Sequence, residues 1–354
     1  MGLKSYRTGV IGLGWMGWLY DVADRRGAPE CGLPTMRKTP LMGLPNSHAG
    51  AYRFHVKTRL VAGCDPDVER LKGFGKHYGV KALYKDYWDM LEKESLDLVS
   101  VCTKTDIRPE VTSAAVKAGV KGVFTEKPMA HSLEEADRMV DVCRKANVKL
   151  LVGSISVCHP AFGKARKMIE QEEVGELVSM VTGMQTAQHN TFLYLVGSEV
   201  DWVLGNMESP EKAQEDFDSE VTPKSGFMYF KNRVEGAILG LHRPCLDVTL
   251  TGTKGFLTFN WSKGFRLWKE LDTTGLAELP WPIADQFSVP YTYYGVADLI
   301  QCIEEDAEPR VSGRRVRHAM EIEVALRESY RRGQVKVTLP ISDRKLRLLY
   351  RSFR

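Results

Sequence analysis

The sequence predicts an α/β domain built on a parallel sheet, followed by an α+β domain with a mostly antiparallel open sheet. Three observations carry this. Up to about residue 153, short β-branched and apolar runs alternate with segments of helical period, the pattern of βαβ units. Beyond it, longer stretches alternate apolar with polar residues, as strands with one wet face do. At 354 residues the chain is also longer than one ordinary core serves. Domains are therefore expected at 1–153 and 154–354.

In order, the first half offers strands at Arg7 to Leu13, Arg59 to Asp65, Asp97 to Thr103, Gly122 to Thr125 and Val148 to Gly153. Each is apolar nearly throughout, as strands covered on both faces must be. Helices are expected at Pro66 to His77, Lys85 to Glu94, Arg108 to Ala118 and Ser132 to Ala146. In the last, Ser132 and Glu135 form a capping pair ahead of an apolar stripe from Leu133 to Cys143. Residues 24–45 carry several Gly and Pro without periodicity and read as an inserted loop, either a binding loop or a peripheral excursion.

The second half opens with a helix from Pro160 to Gln171. Strands are then expected at Glu176 to Gly183, Val200 to Gly205, Gly226 to Phe230, Val234 to Arg243, Leu246 to Gly252 and Gly255 to Asn260. Two late helices, Val296 to Glu305 and Arg314 to Arg331, are expected to pack on that sheet, with a closing strand near Val335 to Leu339.

Composition excludes several classes. Apolar residues at 43% and charged residues at 27% are ordinary for a globular protein. The 49 basic and 45 acidic residues leave a charge of +4 with no long block of one sign, so no nucleic-acid partner is expected. The tightest basic cluster, Arg314, Arg315 and Arg317, is followed by Glu321 and Glu323 and reads as a solvated helix face. Seven scattered cysteines form no C-x-x-C pair, which suits a reducing, cytoplasmic setting and offers no zinc or other metal pattern. The first apolar run, Thr8 to Leu13, is short and enters a glycine turn, so neither signal peptide nor membrane span is expected.

That turn carries the first chemistry. Gly12-Leu13-Gly14-Trp15-Met16-Gly17 is G-x-G-x-x-G between a strand and a helix, the Rossmann dinucleotide fingerprint. Gly12 permits the tight turn, Gly14 the approach of backbone to pyrophosphate, and Gly17 close packing of the helix, whose amino terminus faces the phosphates. The second sheet strand ends at Asp65, a carboxylate placed to accept from the adenosine ribose hydroxyls. A 2′-phosphate would face both Asp65 and Asp67 with no neighbouring Arg to compensate, so NAD is expected and NADP is less favoured. The acid follows the glycines by far more than the usual span of about 20 residues, and the inserted loop accounts for the excess.

At the end of the next-to-last strand stands Thr125-Glu126-Lys127-Pro128, at the sheet edge where parallel sheets bind ligands. With Asp97 to Thr103, Ala118 to Pro128, Val152-Gly153, Gly175-Glu176, Thr251 to Gly255 and Leu339-Pro340-Ile341, the chain resembles the Gfo/Idh/MocA family of glucose-fructose oxidoreductase and inositol dehydrogenase. The resemblance runs through nearly the whole chain. It implies an NAD-dependent dehydrogenase acting on a CH–OH group of a carbohydrate or cyclitol, working as a homodimer or homotetramer. It implies cofactor contacts from Gly12, Gly14, Trp15, Met16, Gly17, Asp65, Thr103, Thr105, Glu126 and Lys127, and a cis Lys127–Pro128 bond. Lys127 is implied to hold the reacting hydroxyl and assist its proton transfer, and partial burial would tune it for that task.

The family's G-x-H-x-x-D motif is not kept. Taking Tyr194 to Gly197 as the end of its helix puts Asn190 in the Asp place, Ala187 in the His place and His189 beside them. Taking Gly197 to Asp201 instead offers Glu199 and Asp201. The first is preferred because Val200 to Gly205 reads as a strand, and His189 with Asn190 then completes the catalytic set with Lys127. Two other readings share these residues: transient oxidation that drives glycoside cleavage, and a dinucleotide-binding protein without catalysis.

Overall fold

The computed structural model describes residues 5–22, 46–153, 155–183, 189–207, 223–239, 248–260, 264–272, 275–281 and 291–348. The inserted loop expected at 24–45 lies outside the described residues. The chain divides into two compact units.

The first unit is built on six parallel strands in the order β3-β2-β1-β4-β5-β6. They are β1 (Tyr6–Ile11), β2 (Thr58–Cys64), β3 (Ala82–Tyr84), β4 (Leu98–Val101), β5 (Gly122–Thr125) and β6 (Lys149–Val152). Every residue of β4 and β5 is buried, as near-continuous apolar runs require. The edge strand β3 was not expected, because three half-buried residues carry too little periodicity to register. Three helices follow the expected places: α2 (Val68–Tyr78), α3 (Tyr87–Lys93) and α4 (Arg108–Lys117). Asp67 caps α2 by accepting from the Glu69 and Arg70 amides, and Asp86 caps α3 through Trp88. Most of α5 (Leu133–Lys145) also belongs to this unit.

The helix expected directly after the glycine turn is divided. Gly14 to Trp18 forms a turn followed by a short 3-10 segment, and a regular helix begins only at α1 (His48–Phe54). The two pieces are joined by backbone bonds: the His48 and Ala49 N–H groups donate to Met16 and Gly17 carbonyls at 2.9 and 3.1 Å. Asp21 accepts from the Asn46 and Ser47 amides, the Ser47 hydroxyl and the Tyr78 hydroxyl.

The helix expected near Val296 to Glu305, α8 (Tyr291–Glu304), belongs to the first unit and not to the second sheet. Its apolar face lies on β5 and β6: Leu299 and Ile303 reach Gly122, and Gly295 fits against Phe124, Leu151 and Ile155. An apolar stripe specifies that a face is buried, and does not specify against what.

Among the described residues the second unit holds nine strands in the order β14-β13-β12-β11-β7-β10-β9-β8-β15. They are β7 (Leu177–Thr182), β8 (Val200–Met207), β9 (Pro223–Phe230), β10 (Glu235–Leu239), β11 (Val248–Gly252), β12 (Gly255–Asn260), β13 (Gly264–Leu271), β14 (Gly275–Leu279) and β15 (Val337–Thr338). β7 and β10 run parallel and the other pairs antiparallel. β13 and β14 were not expected. Their charged residues, including the cross-strand pair Arg266–Glu278 at 2.5 Å, blur the alternation while protecting a sheet edge. The helices of this unit are α6 (Pro160–Glu170), α7 (His189–Val196) and α9 (Gly313–Arg331).

α9 packs on this sheet as expected: the Gly205 N–H donates to Ser329 Oγ at 3.0 Å, and Leu326 lies against Gly205 and Gly226. Its charges are only in part the solvated face the sequence suggested: Arg314 is exposed and Arg315 and Arg317 half-buried, while the acids are not. Glu321 and Glu323 are buried, Glu321 bonded to Arg344 and near His318, Glu323 to Arg327 at 2.5 Å. Burial pushes the Glu321 carboxyl up, but the His318 bond and the charges of Arg344 and Arg317 outweigh it and hold it below its ordinary range.

Candidate active site

The parallel sheet brings five strand ends to one edge. Gly12 N–H donates to the Cys64 carbonyl at 2.8 Å, Cys102 N–H to Ile11 at 2.7 Å and Glu126 N–H to Val101 at 3.0 Å. Asp65, Gly12, Cys102 with Thr103, Glu126 and Gly153 thus follow one another along the carboxyl ends of β2, β1, β4, β5 and β6. The order reverses between β1 and β4, and doubly wound sheets bind ligands at such a reversal.

Each glycine of the turn has its own reason. Gly12 sits at φ +90°, and a β-carbon there would lie 2.6 Å from the Cys102 carbonyl group. A β-carbon on Gly17 would strike the Gly12 carbonyl. At Gly14 it would meet nothing within 4 Å among the described residues, so the backbone there is open to a ligand. Trp15 is exposed and Met16 half-buried beside it. This cradle, open at Gly14 and closed behind Gly12 and Gly17, fits the pyrophosphate of a dinucleotide.

Asp65 is buried at the end of β2. Its Oδ2 accepts from the Leu13 amide at 2.7 Å and its Oδ1 from the Asp67 amide at 2.9 Å, so the carboxylate is tied to the glycine turn. The expectation that no Arg stands near these acids is overturned. Arg70, one turn into α2, brings a guanidinium nitrogen to 3.7 Å from Asp65 and another to 3.5 Å from Asp67. Helical spacing after the Asp67 cap puts Arg70 there, since residues three apart share a face.

At the other end of the edge stands Glu126, buried behind exposed Lys127. Oε2 accepts from the Lys127 amide at 3.0 Å, and Oε1 lies 3.0 Å from Nε2 of fully buried His48. His48 Nδ1 lies 2.9 Å from Ser100 Oγ, which donates to the Tyr52 hydroxyl at 2.9 Å. Burial pushes the Glu126 carboxyl up; the His48 hydrogen bond and the charges of His48, Lys127 and Arg108 outweigh it and keep it below its usual range. Gly153 closes the other side: a β-carbon there would lie 2.7 Å from Oε2.

Arg108 fastens the same loop. Its guanidinium donates to the carbonyls of Pro128 and Thr103 and to the Thr105 hydroxyl. Thr103 and Thr105 are half-buried on the loop after β4, and the Lys127–Pro128 bond is cis. The Lys127 side chain is exposed at the end of β5.

In the second unit, α7 begins at His189 and is followed by β8 from Val200, the arrangement that puts Asn190 at the start of the helix. Asn190 is buried; the His189 side chain lies outside the described side chains. The alternative acid Glu199 is bound to Lys231 and Arg314, both at 2.8 Å, and the Lys231 hydrogen bond lowers it despite partial burial. Asp201 lies within β8.

Sequence reasoning missed His48, Ser100, Arg108 and Gly153 as members of the site. For His48 one signal existed. Ser47 caps the new helix, accepting from Gly50 at 3.0 Å, so a helix start was legible beyond the insertion.

Residues 41–154 match the Gfo/Idh/MocA family, described as an oxidoreductase family with an NAD-binding Rossmann fold. D-apiose dehydrogenase of Paraburkholderia graminis is 33% identical over 129 residues, which cover 36% of this chain and 34% of that protein. Myo-inositol 2-dehydrogenase of Thermotoga maritima is 33% identical over 117 residues, covering 33% and 35%. The matched stretch thus spans about a third of these relatives' length. A levoglucosan dehydrogenase solved with NADH and L-sorbose superposes with a TM-score of 0.71 at 17% identity, over 95% of this chain and 99% of that one, a likeness of fold. Among the described residues no helix is long and apolar enough to cross a membrane.

Proposed function

We propose that this chain, whose residues 41–154 match the Gfo/Idh/MocA oxidoreductase family, moves a hydride between NAD and a secondary hydroxyl of a sugar, cyclitol or glycoside. The observation that carries the proposal is Lys127, exposed at the end of β5 on the same edge as the open Gly14 cradle.

Gly12, Gly14 and Gly17 would hold the pyrophosphate with Trp15 and Met16 beside it, Asp65 the adenosine ribose, and Thr103, Thr105 and Glu126 the edge between them. Bound NAD supplies the hydride acceptor. Lys127 Nζ, an ammonium on a flexible stem, holds the reacting hydroxyl and stabilises the oxygen as its proton leaves. His189 and Asn190 are the second unit's contribution to proton transfer in this reading, His189 because an imidazole titrates near neutral pH. The curated relatives named above, dehydrogenases of a sugar and an inositol, support the substrate class.

A homo-oligomer is part of the proposal. One face of the second sheet presents Phe227, 55% exposed, and Leu239, 45% exposed, with the stacked pairs Trp202–Tyr229 and Phe256–Trp268. A second copy would cover such a face. Light scattering after size exclusion is expected to give a dimer or tetramer that Phe227→Glu weakens.

The test of the activity is NADH formation across a panel of aldoses, cyclitols and glycosides. Turnover of at least one is expected; NAD binding without any turnover sinks the catalytic reading.

A further inference from the structure

Glu126 finds its nearest side-chain partner 78 residues away in sequence. His48 reaches it because the first amides of α1 are bonded back to Met16 and Gly17 of the glycine turn, which brings the imidazole to Ser100 of β4 and Phe124 of β5. The ring lies 4.0 Å from that of Phe124, with Ser100 on one nitrogen and Glu126 on the other. An ionised carboxylate only accepts, so Nε2 carries a hydrogen toward Glu126. The second carboxylate oxygen takes the Lys127 amide, and Gly153 leaves that oxygen no room for a neighbouring side chain. One carboxylate therefore links a buried imidazole to the main chain of the lysine. The groups around it are His48 and Tyr52 from α1, Ser100 and Cys102 from β4 and its loop, Arg108 from α4, and Lys127.

We infer that His48 is a positioning residue for Lys127: it holds the Glu126 carboxylate where that group accepts the Lys127 N–H, and so sets where the lysine stands at the end of β5. This rests on the reading of Lys127 as the proton-handling group. A residue that merely filled space would be replaceable by shape. His48→Phe keeps a ring against Phe124 and offers Glu126 no donor, whereas His48→Gln returns a donor near the Nε2 position. Without a donor the buried carboxylate loses what offsets its burial and takes up a proton.

The experiment compares the full-length wild type, His48→Phe, His48→Gln and the double variant His48→Phe/Glu126→Gln at neutral pH. Difference infrared spectra are expected to show a protonated-carboxyl C=O band in His48→Phe and in none of the others. Labelling of Lys127 by an amine reagent, read by peptide mass spectrometry, is expected to change by about threefold in His48→Phe and to revert in His48→Gln. With a substrate from the sugar panel, kcat is expected to fall by about tenfold to a hundredfold in His48→Phe, with KM for NAD within about threefold, and to recover in His48→Gln. Absence of the band, unchanged Lys127 labelling, or wild-type kcat in His48→Phe overturns the inference. A wild type that oxidises no sugar overturns the functional reading alone, because the infrared and labelling measurements need no turnover.

Discussion

Two buried carboxylates stand at the same sheet edge and are held in different ways. Asp65, after β2, is gripped by two backbone amides and faced by Arg70, whose side chain is 46% exposed. Glu126, after β5, has one backbone amide and a histidine with no exposure at all. The first carboxylate, though buried, is reached by the charge of an exposed side chain, which suits its proposed contact with the cofactor. The second is sealed, and its state can be passed on to Lys127. Burial is alike at the two positions, so the partner decides what each carboxylate can do.

If that contrast is right, perturbing the Glu126 end changes turnover while perturbing the Asp65 end changes cofactor affinity. The largest effect is expected from Lys127→Ala, a loss of about 10²- to 10⁴-fold in NADH formation with NAD affinity nearly kept. Equal losses in both would erase the distinction between the two ends. Asp65→Ala is expected to weaken NAD by about tenfold to a hundredfold and NADP much less, measured by fluorescence titration. Similar losses for both cofactors would remove Asp65 from the ribose.

Gly153→Ala pushes a methyl toward Glu126 Oε2 and is expected to cost about 1–3 kcal/mol in urea unfolding, with turnover falling further than NAD affinity. A variant as stable and active as wild type would show that the carboxylate has slack. The lowered Glu126 carboxyl gives a pH test. Its contribution to stability is present above about pH 4.5, its ordinary value, and is lost as pH falls through the lower folded value. The stability gap between wild type and Glu126→Gln should therefore close toward acid pH, and a constant gap would contradict an ionised Glu126. The smallest effect is expected from Arg70→Ala, an exposed partner worth less than about fivefold in NAD affinity. A larger loss would mean that Arg70 itself touches the cofactor.

The cofactor end of the site was the more legible in sequence. Gly12, Gly14 and Gly17 are contiguous, and Asp65 ends a strand whose apolar run announces it. Arg70 was overlooked although it lies one helical turn past a recognisable cap. Lys127 could be picked out because its motif closes a strand. The second unit was less legible: α7 was placed, yet β13 and β14 were hidden by their charges.

By itself the sequence determined five of the six parallel strands of the first unit, the helices α2 to α5, the glycine turn and the two acids at the strand ends. Each is written in neighbouring residues, through periodicity, caps and turn chemistry. Only the tertiary structure decided that α8 packs on β5 and β6, that the start of α1 is bonded back to the glycine turn, and that His48, Ser100 and Gly153 surround Glu126. Those partners lie far apart along the chain. A buried hydrogen bond depends on where strand order and helix packing bring two groups together, and no local pattern records that.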